Sequence, residues 1–320
     1  MNKTVEARAP GLKGAAQRSS PLRTLRRNGS LLALCLPAIV LYFLFNYVPM
    51  CGIVMAFEKF KYPTGMFHSQ FIGLKNFEYL FKSVELWRIV RNTVGYNLIF
   101  MVLGPVINIS VALLLFEVQN KRALKTYQTI MTFPNFMSWV IVGYITYAIL
   151  NPSLGIMGQI FSAFGMERVD VYSSPGYWPF IIVLVNTWKG VGMGSMLYFA
   201  SLMGIDTSLY EAAIIDGASR WQQTRYISIP HLVPLVCIMT IMAMGGIFSG
   251  DFGLFYQIPR DVAVLYETTD VVNTYVYRGL KNANFGASSA IGLIQSVVGL
   301  IFVGGTNYII AKVSPDNAMF

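Results

Sequence analysis

A chain of 320 residues that is 55% hydrophobic and only 12% charged has about half the charged fraction of an ordinary soluble domain. That deficit excludes a wholly water-soluble protein and points to lipid as the main solvent. The net charge of +9 is explained by a basic tail beside a membrane helix, through topology and attraction to anionic lipid, without any nucleic-acid partner.

Residues 1–30 hold Lys3, Arg8, Lys13, Arg18, Arg23, Arg26 and Arg27 against Glu6. This tail is expected to be disordered or in contact with lipid. The apolar run that follows is longer than the core of a secretion signal and lacks a small-x-small cleavage site, so it reads as a retained membrane helix. Apolar segments of spanning length recur at about 31–57, 93–116, 127–150, 178–203, 232–250 and 287–311. Their apolarity is continuous rather than alternating, which excludes a barrel. The expected fold class is therefore an all-α membrane protein with six transmembrane helices over 31–312 and a short tail over 313–320.

Orientation follows from the basic residues. Lys121, Arg122 and Lys125 stand against Glu117 in the second connection, on the same side as the basic N-terminal tail. The basic residues of the other side lie mostly in a long first loop, Lys59 to Arg91, which the positive-inside rule weights less. Both termini and the connection over 204–231 are assigned to the cytoplasm. Of the external loops, 58–92 interleaves aromatic and charged residues, 151–177 is turn-rich, and 251–286 carries Pro259 and a mixed-charge stretch.

Cys35, Cys51 and Cys237 all belong to apolar segments. The first two are about 24 Å apart along one helix, too far to bridge, and neither a disulfide nor a metal site is expected. Several spans carry polar residues that lipid disfavours. Glycines such as Gly104, Gly192 and Gly194 fit close helix packing, whereas Asn97, Asn108, Asn186 and Gln295 suit either bonds across helices or the lining of a translocation path. Lys189 lies about eleven residues into its helix, too deep to snorkel easily. It is expected to face the interior, where it would either read an acidic solute or pair with a carbonyl or a helix end.

The connection between the fourth and fifth spans is far longer than a linker needs. Ser208 and Glu211 have the spacing of a capping box, so a helix is predicted from about Leu209. Asp216 and Arg220 fall at i, i+4, an acid-first pair. Gly217 is expected to bend or cap that helix. A second helix then runs over about 218–227, and Pro230 and Pro234 are expected to end it or reset its direction. Small residues on an exposed helix, Ala212, Ala213 and Gly217, allow a partner to dock closely.

The spacing Glu211-Ala212-Ala213, Gly217, Ile227, Ile229-Pro230 resembles the EAA signature of ABC importer permeases, with Ile229 where leucine is usual. Flanking stretches, Phe45–Met50, Phe71–Phe77, Asn273–Arg278 and Asn284–Gly286, are similar to the carbohydrate class, in the polysaccharide and lipoprotein-type subgroup that includes an alginate-oligosaccharide importer. The resemblance implies a type I importer core over about 90–311 in a bacterial inner membrane, paired with a second permease. It also implies two cytoplasmic ATPase subunits that bind ATP and Mg, and an external solute-binding protein that delivers an oligosaccharide. Glu211, Ala212, Ala213, Asp216, Gly217, Ile227 and Pro230 would form the ATPase-coupling surface. No G-x-x-x-x-G-K-S or -T phosphate loop occurs, so ATP hydrolysis is expected in a partner, with no cofactor and no catalytic residue in this chain. Two rivals fit less well. An ion- or proton-coupled secondary transporter has no need of the cytoplasmic helix pair, and a membrane enzyme would need more than His68 and His231, which fall on opposite predicted sides.

Overall fold

The structure, a computed structural model, describes residues 29–61, 63, 65–66, 68–153, 155–165, 167 and 169–313. The basic tail up to residue 28 and the tail from 314 lie outside the described residues. The chain divides into two compact units, one ending at Gly52 and the other beginning at Ile53. In the first, α1 (Gly29–Tyr42) passes through a π turn (Phe43–Tyr47) into a 3₁₀ stretch that starts at Val48. Phe43 stacks on Tyr47, their ring centres 5.5 Å apart.

The second unit opens with a short hairpin, β1 (Glu58–Lys59) paired antiparallel with β2 (Gln70–Phe71), and the short α2 (Lys75–Lys82). Asn76 ties α2 to the hairpin by donating to the carbonyls of Ala56 and Glu58 at 2.9 and 3.0 Å. Helix α3 (Val84–Phe116) starts well before residue 93, where apolarity alone placed it. The earlier start has a local cause, since the Ser83 hydroxyl accepts the Leu86 amide at 3.2 Å and so caps the helix. The first turns then bury Leu86 and Ile89 among Ala56, Leu80 and Val272.

The expected continuous helix over 127–150 is not formed. Helix α4 (Lys121–Thr132) ends in a 3₁₀ turn over Phe133–Phe136, and α5 (Trp139–Leu150) leaves at 98° to it. Pro134 has no amide to continue the ladder, and Ser138 starts the new helix by accepting the Ile141 amide. After α6 (Ile156–Ala163) come α7 (Trp178–Leu202), α8 (Thr207–Ile215), α9 (Arg220–Gln223) and α10 (Ile229–Gly245). The span 251–286, read from sequence as a loop, is largely helical: α11 (Phe252–Gln257), α12 (Tyr266–Thr269) and α13 (Val272–Lys281) precede α14 (Phe285–Val313). The 151–177 loop likewise contains α6. Five helices among the described residues are long and apolar enough to cross a membrane, and a sixth if the bent α4–α5 pair counts as one span.

One face of α3 organises the segment that follows α10. Arg88, Asn92, Thr93, Tyr96 and Asn97 recur at helical spacing, and each bonds to residues 247–272. Asn92 donates to the carbonyls of Glu267 and Asp270, both at 3.0 Å. The Thr93 hydroxyl accepts the Val272 amide at 3.0 Å, and the Tyr96 hydroxyl donates to the Thr268 carbonyl at 2.8 Å. Asn97 donates to the carbonyls of Ile247 and Ser249 at 2.9 and 3.1 Å. Beneath this polar row, Tyr96, Trp178, Ile182, Leu254 and Phe255 form an apolar cluster. A separate one, Ala112, Tyr198, Leu202 and Leu232, closes the opposite end of the bundle.

The Asp270 side chain is wholly buried and faces Arg278 at 2.6 Å and Arg88 at 3.4 Å, with the Thr274 hydroxyl donating to it at 2.8 Å. Removing this carboxylate takes from Arg88 its ion-pair partner among the described residues and leaves Arg278 with only the longer contact to Asp261 at 3.5 Å. We expect Asp270→Ala to cost about 3–5 kcal/mol, read as a lower unfolding temperature in detergent. The double variant Asp270→Leu with Arg278→Met should recover part of that loss; no recovery would show that the ion pair is not the source.

Candidate functional site

Helix α8 projects from the end of the bundle opposite the α3 polar row. Its cap is Asp206, whose carboxylate accepts the Ser208 amide at 3.0 Å, and hydrogen bonds from Ser208 hold the Asp206 carboxyl below its ordinary value. The expected Ser208–Glu211 capping box is therefore not used: Asp206 lies two residues earlier and takes the cap, which leaves Glu211 exposed on the helix surface. The helix ends at Gly217 as expected. Gly217 has φ +77°, with its amide bonded to the Ile214 carbonyl and the Ala218 amide to the Ala213 carbonyl at 2.8 Å. That pair of bonds is a Schellman termination, which calls for a residue tolerant of the left-handed conformation.

The reversal at Gly217 separates Asp216 from Arg220, so their expected i, i+4 pair does not form. Arg220 instead reaches Glu117 at the end of α3, at 3.1 Å. The real capping box is Ser219 with Gln222: the Gln222 amide donates to Ser219 Oγ at 3.3 Å and the Ser219 amide to Gln222 Oε1 at 2.7 Å. Pro230 and Pro234 do not end the second helix either. A π turn over Thr224–Ser228 absorbs the fit, and Arg220–Gly245 runs on as one span. The wider turn relaxes the ladder just where Pro230, near the start of α10, meets the preceding turn.

The segment is fastened to the bundle by Tyr210, whose hydroxyl is 2.9 Å from Ser228 Oγ and whose ring lies 5.9 Å from that of Phe116. Buried Gln223 donates to the Ala218 carbonyl at 3.1 Å. Outward it presents Glu211 with Ile214, Ile215 and Trp221, and Ile215 is 86% exposed. Ala213 and Ile227 are half-buried beneath, while Ala212, Asp216 and Pro230 are exposed.

Between α3, α7 and α10 lies an open cavity of about 700 Å³, bordered among others by Asn97, Asn108, Tyr198, Thr240, Asp251 and Asn273. Asp251 caps α11 by accepting the Leu254 amide at 3.1 Å and also accepts the Trp139 indole N–H at 3.1 Å. Apolar side chains, among them Phe100, Met101, Leu197, Met239 and Ile247, line much of the rest.

Residues 109–315 match the family described as binding-protein-dependent transport system inner membrane component. The chain belongs to that family. It is a multi-pass subunit of a bacterial inner-membrane ABC transporter, and ATP hydrolysis takes place in a separate partner subunit. Its relatives agree along almost the whole length. The permease is 30% identical to protein LplB of Bacillus subtilis over 91% of each chain. It is 31% identical to the polygalacturonan/rhamnogalacturonan transport system permease protein YteP of the same organism, over 97% of this chain and 98% of that one. A chain in the crystal structure of a bacterial ABC transporter involved in the import of the acidic polysaccharide alginate superposes with a TM-score of 0.83 at 33% identity, covering 92% of this chain and 99% of that one.

Of the polar residues singled out within the spans, the structure brings only Asn97 and Asn108 to the cavity. Asn186 and Gln295 are half-buried elsewhere on α7 and α14. Lys189 also turns away from the cavity: its ammonium donates to the Asn135 carbonyl at 2.8 Å and lies 5.0 Å from the centre of the Trp139 ring. It thereby satisfies a carbonyl freed by the break between α4 and α5. Gly192, one turn on, makes the contact possible, because a Cβ there would meet the Met131 carbonyl. Sequence reasoning missed Glu117, Tyr210, Ser228 and Asp251. Only the Ser219–Gln222 box had a local signal, the S-x-x-Q spacing. Lys189→Met in the permease should leave the Asn135 carbonyl unpaired at a cost of about 1–3 kcal/mol. The expected signs are a lower unfolding temperature, faster proteolysis near Phe133–Ser138, and equal loss of uptake for acidic and neutral oligosaccharides. A selective loss for acidic ones would assign Lys189 to the solute instead.

Proposed function

We infer that this permease forms one half of the path of an ATP-driven importer for oligosaccharides of acidic type, and that residues 204–231 couple it to a cytoplasmic ATPase. The carrying observation is α8: a capped, exposed helix with Glu211, Ala212, Ile214 and Ile215 outward, ended by the Gly217 reversal and locked to the bundle through Tyr210 and Arg220. A docking helix must be accessible on one face and rigidly held on the other. In this reading the bent α4–α5 pair is one crossing, six spans place both termini in the cytoplasm, and a second permease closes the open cavity. An external binding protein delivers the solute, and ATP and Mg are held by two ATPase subunits.

The span Arg220–Gly245 supports a mechanical route. It joins the docking segment without interruption to Thr240 and Ala243 in the cavity wall. Closure of the ATPases would swing α8 and α9 and carry that wall with them, a rigid-body switch between inward and outward access. Asn97 and Asn108 are the proposed polar contacts of the path. The acidic character of the substrate is supported by two relatives, one named for polygalacturonan and rhamnogalacturonan and the other for alginate import.

Gly217→Asp tests the coupling. The left-handed backbone costs a side chain about 1–2 kcal/mol, too little to prevent insertion into the membrane. The expected outcome is an intact assembly whose ATPase no longer responds to the loaded binding protein, with uptake lost. Normal uptake in this variant, or wild-type uptake that follows an ion gradient without ATP, would refute the assignment.

A further inference from the structure

At the end of the bundle away from α8, the backbone makes an unusual turn. Arg260 and Asp261 are consecutive non-glycine residues with φ +60° and +53°, a conformation that L residues avoid and that tends to persist where a site needs it. Asp261 is held by polar contacts. Asp261 accepts the Tyr266 hydroxyl at 2.8 Å and lies 3.5 Å from Arg278. Burial, and then that hydrogen bond, push the Tyr266 phenol up to about 12, so it remains a donor.

The two arginines of this region differ in one respect. Arg278 stacks 4.0 Å from the centre of the Tyr266 ring and is paired with Asp270 and Asp261. Arg260 is also stacked, 4.1 Å from the centre of Tyr147 and 5.7 Å from that of Tyr144. Yet among the described residues it makes no ion pair, and the residue is exposed. A guanidinium that lies over aromatic rings and has no carboxylate partner retains donors with which it can bind a carboxylate through two parallel bonds. Arg260 borders a recess of about 190 Å³ shared with Tyr144, Tyr256 and Gln257, below the size of a drug-like pocket and suited to a single ring.

The recess adjoins a compact cluster of three aromatic rings. Tyr256 stacks on Phe252 with ring centres 4.9 Å apart, and Tyr277 lies 5.1 Å from Tyr256 and 4.9 Å from Phe252. Phe252 borders the central cavity. Aromatic faces receive the C–H face of a pyranose, and Tyr256 belongs to both the cluster and the recess.

We propose that Arg260 and its tyrosines form an entry subsite for a uronate, a sugar ring bearing a carboxylate, set apart from the central cavity by the Phe252–Tyr256–Tyr277 cluster. Arg260 reads the carboxylate and the tyrosines read the ring. This inference rests on the importer reading above and adds to it a position where acidic sugars are told from neutral ones.

The test uses the full chain in lipid nanodiscs, with trigalacturonate and its fully methyl-esterified form as probes. Wild type should bind the acid more tightly than the ester. Arg260→Gln should weaken binding of the acid about tenfold and leave the ester unchanged, whereas Tyr256→Ala should weaken both. Equal binding of acid and ester by wild type, or an unaltered affinity for the acid in Arg260→Gln, overturns the proposal. Loss of the second permease on co-purification of Arg260→Gln, with sugar binding intact, also overturns it and makes the recess a subunit contact. Gly217→Asp should leave this binding unchanged, so failure of the coupling reading and failure of the subsite are separable.

Discussion

A backbone carbonyl in hydrocarbon needs a partner, and leaving one free costs several kcal/mol. The second unit breaks its helices within apolar sequence twice, and at each break a polar side chain from a neighbouring helix meets the freed carbonyls. Lys189 of α7 serves Asn135 in the turn between α4 and α5. Asn97 of α3 serves Ile247 and Ser249 where α10 gives way to α11. These contacts supply the partners that make the bend beside Trp139 and the turn into the short helices over 252–281 tolerable in an apolar setting.

Those breaks create the concave surfaces on which the functional reading depends. Straight helices pack along their lengths and leave little room between them. The turn after α10 instead sets Asp251 and Phe252 at the rim of the cavity, and the bend before α5 brings Tyr144 and Tyr147 towards Arg260. The opposite end of the molecule is built differently. There the helix from Arg220 to Gly245 is continuous through a π turn and two prolines, and it joins the exposed segment to the cavity wall.

The docking segment was legible in outline because its determinants are local. The Gly217 reversal needs a glycine, and the small and acidic residues before it stand out against apolar surroundings. Its details were decided by competition between neighbours. Asp206 displaced Ser208 as cap, and Arg220 found Glu117 once Gly217 had turned the chain. Spacing along one helix cannot register a partner about a hundred positions away.

The sequence by itself determined that lipid is the solvent, that helices cross it, and that residues 204–231 form a distinct polar device, because composition, apolar length and glycine chemistry are properties of the chain alone. Tertiary structure decided where each intramembrane polar group finds its partner, and whether that place borders the cavity. Lys189 and Asn97 looked alike as polar intruders in apolar runs, yet one lies on a carbonyl away from the cavity and the other at its edge. What separates them is the location of the free carbonyls, and that exists only once the neighbouring helices have been broken and packed.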